Sequence, residues 1–264
     1  IPDSLLAVAR AGAGVNNIPV SDYTEQGIVV FNTPGANANA VKELIVAGLL
    51  LGSRDIYGGM SYVQELGHID DSAQMGKLLE KEKKRFAGTE IVGKTLGVVG
   101  LGAIGSIIAN LALDLGMNVI GYDPAISVEA AWQLSSRVER MESIEKLLAS
   151  ADFVTLHVPA IPATKHLINT KTLSEMKSTA KILNFAREEI VSTDDMVNAL
   201  NKGVIAGYIS DFPAPALLGR KDVILMPHIG ASTEEAEENC AVMAAEQLKD
   251  FLENGNIHNS VNYP

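Results

Sequence analysis

Hydrophobic positions along the chain fall into short continuous runs, separated by longer stretches in which apolar and polar residues recur with helical spacing. From Lys94 onward the alternation is regular. The runs "TLGVV", "MNVIGY", "SSRVER", "DFVTLHV", "AKILNF", "VIAGYIS" and "DVILM" read as successive strands. Runs this continuous fit parallel strands covered on both faces. Between most of them lie helical patterns, at residues 104–115, 143–150, 170–176 and 193–202, and Ser192 with Asp195 has capping-box spacing before the last. This order implies an α/β fold with a doubly wound parallel sheet of the Rossmann type.

Before Lys94 the texture is still α/β but less regular. "LLAVARAGAG" reads as a buried strand ending in a glycine-rich turn, followed by a short helix near residues 22–26, a strand "IVVFN" and a long helix over about 39–54. Residues 55–93 turn polar, and "EKEKKR" at 80–85 reads as a solvated helical face. The domain crossover is expected there. Ser232 and Glu235 have capping-box spacing and would open a final helix running to about residue 252 and back to the first domain. The expected organisation is a second, smaller α/β domain over 1–68, the doubly wound domain over 69–230, and a C-terminal helical segment over 231–264.

Composition narrows the function classes. The 264 residues carry a formal net charge of −11, which argues against a surface built for nucleic acid or anionic lipid and favours small-molecule chemistry. Cys240 is the single cysteine, so neither an intrachain disulfide nor a thiolate metal cluster is expected, and no metal site is predicted. That usage suits a reducing cytoplasm. The longest apolar stretch, "AVKELIVAGLLLG", is broken by Lys42 and Glu43 and is too short for a spanning helix, and the N-terminus has no secretory pattern. A soluble protein without membrane partners is expected.

The sharpest motif is "VVGLGAIG". Gly100, Gly102 and Gly105 follow a strand and open a helix at Ala103 and Ile104, the arrangement that brings a pyrophosphate against backbone N–H groups at a helix N-terminus. Asp123 ends the next strand 18 residues after Gly105, placed to accept from an adenosine ribose and to repel a 2′-phosphate. NAD is therefore expected rather than NADP. The competing reading is a glycine turn and a surface aspartate in an empty α/β domain. In "LMPHIGAST", His228 sits at a strand's C-terminal end, where open α/β sheets bind ligands, with Gly230 and Ala231 beside it for close cofactor approach. An imidazole suits moving an alcohol proton, although a core histidine bonded to backbone is the alternative. Arg187, after "ILNFA", offers a planar fork for carboxylate or carbonyl oxygens; a surface ion pair with Glu188 or Glu189 is the alternative.

Four segments, "RAGAGVNNIPV", "GKTLGVVGLGAIG", "ADFVTLHVPAIPATKHLIN" and "PHIGASTEEAEEN", carry a resemblance over nearly the whole chain. The sequence resembles the D-isomer-specific 2-hydroxyacid dehydrogenases, and within them the branch acting on 3-phosphoglycerate at the entry to serine biosynthesis. The resemblance implies two βαβ domains with a cleft between them, NAD on the larger one, hydride exchange at C2 of a 2-hydroxy acid, and homodimers or homotetramers. It also implies further units before Ile1 and, in many members, a regulatory domain after Pro264, so the chain is expected to be a core without either end. By the same resemblance His228 is the acid/base and Arg187 the substrate-binding, carbonyl-polarising arginine. Phe185 and Ala186 lie near the nicotinamide, and His157, Val158 and Pro159 form a wall over the cofactor. Gly12, Ala13, Gly14, Val15 and Asn16 match the loop whose amides hold the substrate carboxylate, unless "AGAG" is only a tight turn.

Arg10 and the cations at 83–85 are the visible candidates for a substrate phosphate. One departure stands out: Pro215 occupies the position of the acidic residue that pairs with the histidine, and Glu188 and Glu189 replace small residues after the arginine. Asp211 is then the candidate partner of His228, or a holder of the nicotinamide amide. A reductase of hydroxypyruvate or glyoxylate is the nearest alternative enzyme, and an NAD-binding corepressor or sensor is the alternative of another class.

Overall fold

The apolar runs after Lys94 become one seven-stranded sheet, in which every pairing is parallel. The computed structural model describes residues 1–263. It divides into two compact units, one made of Ile1–Glu43 with the chain from Ile229 onward, the other of Leu44–His228.

In the larger unit the strands are β3 (Thr95–Val99), β4 (Asn118–Tyr122), β5 (Glu139–Arg140), β6 (Phe153–Leu156), β7 (Lys181–Asn184), β8 (Gly207–Ser210) and β9 (Val223–Leu225), numbered after two strands of the smaller unit. Their spatial order is β5-β4-β3-β6-β7-β8-β9. The chain builds outward from β3 to one side, then crosses over to β6 and builds outward to the other. The crevice at the carboxyl ends of β3 and β6 is thus the switch point where such sheets bind ligands. Leu96, Val98, Val154, Leu156, Ile182 and Leu183 are wholly buried, which explains why these strands read as unbroken apolar runs. Each such side chain contributes roughly 1.5–3 kcal/mol by leaving water.

Helices α5 (Ala103–Asp114), α6 (Val128–Gln133), α7 (Ile144–Ser150), α8 (Thr170–Ser174) and α9 (Thr193–Asn201) connect the strands. Ser192 caps α9 by accepting from the Asp195 N–H, as its spacing predicts. The short α6, capped by Ser127 through the Ala130 N–H, was not legible as a helix in the sequence. The run "SSRVER" is reduced to the two residues of β5 at the sheet edge.

Residues 55–93 hold more helix than their polarity indicates. They form α3 (Ile56–Glu65), capped by Asp55, and α4 (Ser72–Glu82), capped by Asp71, before a 3-10 turn at Lys83–Phe86. The charged run is only partly a solvated face. Lys83 pairs with Glu80 and Arg85 with Glu82 at the surface, contacts worth little in water, but the Arg85 guanidinium also lies 5.4 Å from the centroids of both Tyr62 and Phe86. The long helix α2 (Ala38–Ser53) is shared by the two units, which part after Glu43 rather than near residue 68. The reason is packing: a Cβ on Gly48 would meet the Phe185 ring at 2.9 Å, so the second half of α2 lies tightly against the large sheet's own side chains.

The smaller unit pairs β1 (Ala7–Ala9) with β2 (Val29–Phe31) in parallel, with α1 (Val20–Glu25) between them and α10 (Glu234–Asn254) against β1. The expected buried strand is corrected here: β1 spans three residues, all half-buried, because β2 is its single strand neighbour. The N-cap of α10 is also corrected. Thr233, not Ser232, accepts from the Ala236 N–H, in an extended conformation that aims its hydroxyl at the first turn. Phe31 and Phe251 stack at 5.8 Å, and the Asn262 amide accepts from the Val30 N–H and donates to the Ile28 carbonyl, each at 2.9 Å, closing the outer edge of β2. Among the described residues no helix is long and apolar enough to cross a membrane.

Candidate active site

The turn after β3 is built for a close approach. Gly100 has φ +91°, and a Cβ there would lie 2.7 Å from the His157 carbonyl oxygen. At Gly105 a Cβ would be 1.9 Å from the Gly100 carbonyl oxygen, so the helix start must be glycine for α5 to pack on its own loop. Gly102 differs from both. It is the N-cap of α5, exposed, with nothing within 4 Å of where its Cβ would stand, and no side chain caps the helix. The open space lies in front of the N–H groups that begin α5, with Ala103 exposed and Ile104 half-buried behind it. That combination fits a dinucleotide pyrophosphate: room for the group, a positive helix end, and no side chain occupying the place.

Asp123 ends β4 and faces this loop. Its Oδ2 accepts from the Leu101 N–H at 2.7 Å and its Oδ1 from the Ala125 N–H at 2.8 Å, so the carboxylate is held in one orientation beside the glycines, where an adenosine ribose would meet it. Across the switch point, His157 follows β6. Its Nε2 lies 2.9 Å from the hydroxyl of the wholly buried Thr155, and burial lowers its pKa to about 3, so the imidazole is neutral. Val158 packs half-buried against Gly100, while Pro159 is exposed with its carbonyl bonded by Thr164. His157 and Val158 form one wall of the glycine loop.

The next strand end carries the guanidinium. Asn184, wholly buried at the end of β7, donates to the Arg187 carbonyl at 2.9 Å and accepts from the Ala186 N–H at 3.2 Å, clamping the turn. Arg187 is half-buried and spends one Nη1 hydrogen on the Ala186 carbonyl at 2.6 Å. Among the described residues it forms no ion pair with Glu188 or Glu189. Phe185 is buried, with its ring against Gly48 of α2. Asp211, after β8, is buried and donates its N–H to the Asn184 carbonyl at 3.1 Å. Pro215 begins a 3-10 turn and supplies no carboxylate.

His228 follows β9, exposed, with φ +57°, a left-handed conformation that is uncommon outside glycine and asparagine. Its ring meets Phe212 edge-on, with centroids 5.0 Å apart. His166 and Asn259 adopt the same region, which histidine and asparagine enter more readily than most residues. The glycine loop, His157, Arg187, Asp211 and His228 thus all follow the carboxyl ends of parallel strands of one sheet. Gly230 is buried and Ala231 exposed in the turn before α10. No group of three or more potential metal-binding His, Cys, Asp or Glu side chains occurs among the described residues.

In the smaller unit, residues 12–16 form a loop braced from three sides. The Gly12 N–H donates to the hydroxyl of buried Thr33 at 2.7 Å, the Asn32 amide donates to the Ala13 carbonyl at 2.7 Å, and Arg10 donates to the Gly14 carbonyl. Gly14 and Val15 are half-buried and Asn16 is exposed. Asn184, Thr155, Thr33 and Phe212 escaped the sequence reading. The first two carry a usable signal, a polar residue inside an otherwise apolar strand run.

The model of the D-isomer specific 2-hydroxyacid dehydrogenase NAD-binding domain matches residues 59–230. The chain is 41% identical over 266 aligned residues to D-3-phosphoglycerate dehydrogenase of Synechocystis sp., an alignment covering 98% of this chain and 45% of that protein. It thus spans about half the length of the curated relatives it matches. Among solved structures, it is similar to the NAD+-bound 3-phosphoglycerate dehydrogenase of Entamoeba histolytica, at TM-score 0.77 and 27% identity, covering 99% of this chain and 76% of that one. It is likewise similar to a glyoxylate reductase from Paecilomyes thermophila, at TM-score 0.84 and 27% identity, with the same coverage.

Proposed function

Since the chain belongs to the D-isomer specific 2-hydroxyacid dehydrogenases, we propose that it performs the NAD-dependent oxidation of D-3-phosphoglycerate to 3-phosphohydroxypyruvate, the entry to serine biosynthesis, with His228 as acid/base. The observation that carries the reading is the row of strand ends: a glycine loop open at Gly102, a guanidinium at Arg187 and a left-handed His228 share one edge of one sheet. NAD, which the loop of Gly100, Gly102 and Gly105 and the Asp123 carboxylate would hold, would supply the hydride acceptor when bound. The chain's own part is to bind, orient and move a proton. Arg187, whose Nη2 makes no hydrogen bond among the described residues, orients the carboxylate and the C2 oxygen, and the His228 imidazole takes the hydroxyl proton as C2 becomes a carbonyl. In the reverse direction the imidazolium returns it.

The name of the Synechocystis relative supports the phosphorylated substrate. The loop of Gly12, Ala13, Gly14, Val15 and Asn16 is proposed to hold the substrate carboxylate, and Arg10, folded over that loop onto the Gly14 carbonyl, to lie nearest a phosphate. Arg85 is already engaged by Glu82 and two rings, which weakens its claim. The glyoxylate reductase neighbour keeps a small-ketoacid reductase as the second reading. A homo-oligomer in the cytoplasm completes the proposal, supported by the exposed apolar side chains of Tyr57, Met60 and Val63 on α3 and by the lone, buried Cys240. The deciding experiment follows NADH oxidation with phosphohydroxypyruvate, hydroxypyruvate and glyoxylate in parallel. Preference for the first supports the proposal, preference for the others the second reading, and no turnover of any by the full-length protein rejects both in favour of an NAD sensor.

A further inference from the structure

Buried polar side chains are few in the large sheet, and several of them meet at one place. Asn184 and Ser210 are wholly buried and are register partners on β7 and β8, and Tyr208 is buried two residues before Ser210. The Asn184 amide donates both to the Arg187 carbonyl and to the Tyr208 hydroxyl, the latter at 3.3 Å. Tyr208 and Ser210 share a face of β8. Ser210 Oγ then accepts from the Phe212 N–H at 3.1 Å, and the Phe212 ring rests against His228. Burial raises the Tyr208 pKa, so the hydroxyl that accepts from Asn184 stays protonated.

A phenylalanine would fill the same space without a polar atom to satisfy, and a buried hydroxyl is costly unless its partners are in place. The cluster therefore does more than pack. We infer that Tyr208 is a positioning residue, whose hydroxyl accepts from the Asn184 amide and so holds the turn carrying Arg187 in one arrangement. The inference rests on the reading that Arg187 and His228 act on the substrate.

Tyr208→Phe removes the hydroxyl and keeps the ring. In the full-length protein, kcat for ketoacid reduction is expected to fall about 3- to 10-fold, the scale of one buried hydrogen bond, with NADH affinity unchanged because the glycine loop lies on other strands. In an Arg187→Lys background the same change should cost clearly less, since the group it positions is already lost. A purely structural hydroxyl would lower the melting temperature and leave both comparisons unmoved. Asn184→Ala removes the amide that links Tyr208 to the Arg187 turn and should give the same pattern; it decides the matter if Tyr208→Phe does not yield folded protein. Wild-type kinetics in these variants, or losses that are fully additive with Arg187→Lys, overturn the inference while leaving the function standing. Wild-type kinetics in Arg187→Lys alone would reject the functional reading, and the inference with it.

Discussion

Two glycines of one loop should fail in opposite ways when given a methyl group. At Gly105 the added Cβ would stand 1.9 Å from the Gly100 carbonyl oxygen, a backbone atom that cannot swing aside. Relief requires α5 to move off its own loop, and overpacking of this kind costs about 3 kcal/mol, which in a domain of this size lowers Tm by roughly 6–12 °C. At Gly102 the same methyl meets no protein atom within 4 Å, and φ −68° is open to any residue. Exchange of glycine for alanine at an N-cap costs only about 0.5–1 kcal/mol, so the fold should hold. The methyl would instead stand where the pyrophosphate must come, at a steric cost of about 1–3 kcal/mol in binding, or roughly 5- to 150-fold in Kd for NADH. Thermal unfolding without cofactor and NADH fluorescence titration, run on both variants, separate the effects. Wild-type NADH affinity in Gly102→Ala would refute the cofactor assignment of this loop, and wild-type Tm in Gly105→Ala would refute the packing argument.

His228→Asn should lower kcat by roughly two to four orders of magnitude, the scale of a lost acid/base group, with NADH affinity little changed; asparagine tolerates the left-handed backbone, so near-normal turnover would exclude the role. Asp123→Ala should weaken NAD and narrow its advantage over NADP, because the ribose acceptor, the repulsive charge and the tie to the Leu101 N–H vanish together; an unchanged NAD/NADP ratio counts against it. His157 contributes an acid limb to stability. Its folded pKa is lowered by burial from 6.5 to about 3, so below pH 6.5 the unfolded chain binds a proton that the folded chain refuses. Stability is intact above that pH and is lost as pH falls toward about 3, by up to about 1.4 kcal/mol per pH unit. Urea titrations of His157→Gln should show a shallower limb, and an identical slope would disprove a buried neutral imidazole.

The large sheet was legible because its strands are covered on both faces, which writes them as unbroken apolar runs, and because "VVGLGAIG" can be read by position. Elements that draw on other forces were not. The helices between residues 55 and 86 bury little apolar surface and are marked mainly by aspartate caps, so their polarity concealed them. β1 is half-buried and short, and the leucines just before it, Leu5 and Leu6, announced more burial than a two-stranded sheet provides. At the candidate site, strand-end positions were predictable from periodicity, but side-chain direction was not. Phe185 lies in the predicted turn with its ring committed to α2, and nothing in "ILNFA" distinguishes that from a ring facing a ligand. Asn184 and Tyr208 act through contacts between strands that are distant in sequence, which no local pattern encodes.

The division of the chain into units has a kinetic meaning. The larger unit is continuous in sequence, and on the β6 side its sheet grows by adding each new strand beside the last, so it can assemble as it leaves the ribosome. The smaller unit is interrupted by all of the larger one. Its closing contacts, Phe31 with Phe251 and Val30 with Asn262, join segments that lie on either side of residues 44–228, so their loop is long until that insert has folded and drawn its ends together. The interrupted unit should therefore be the last to form and the first to open, and protease cleavage under native conditions should begin in residues 1–43 or after 229 while the seven-stranded sheet survives.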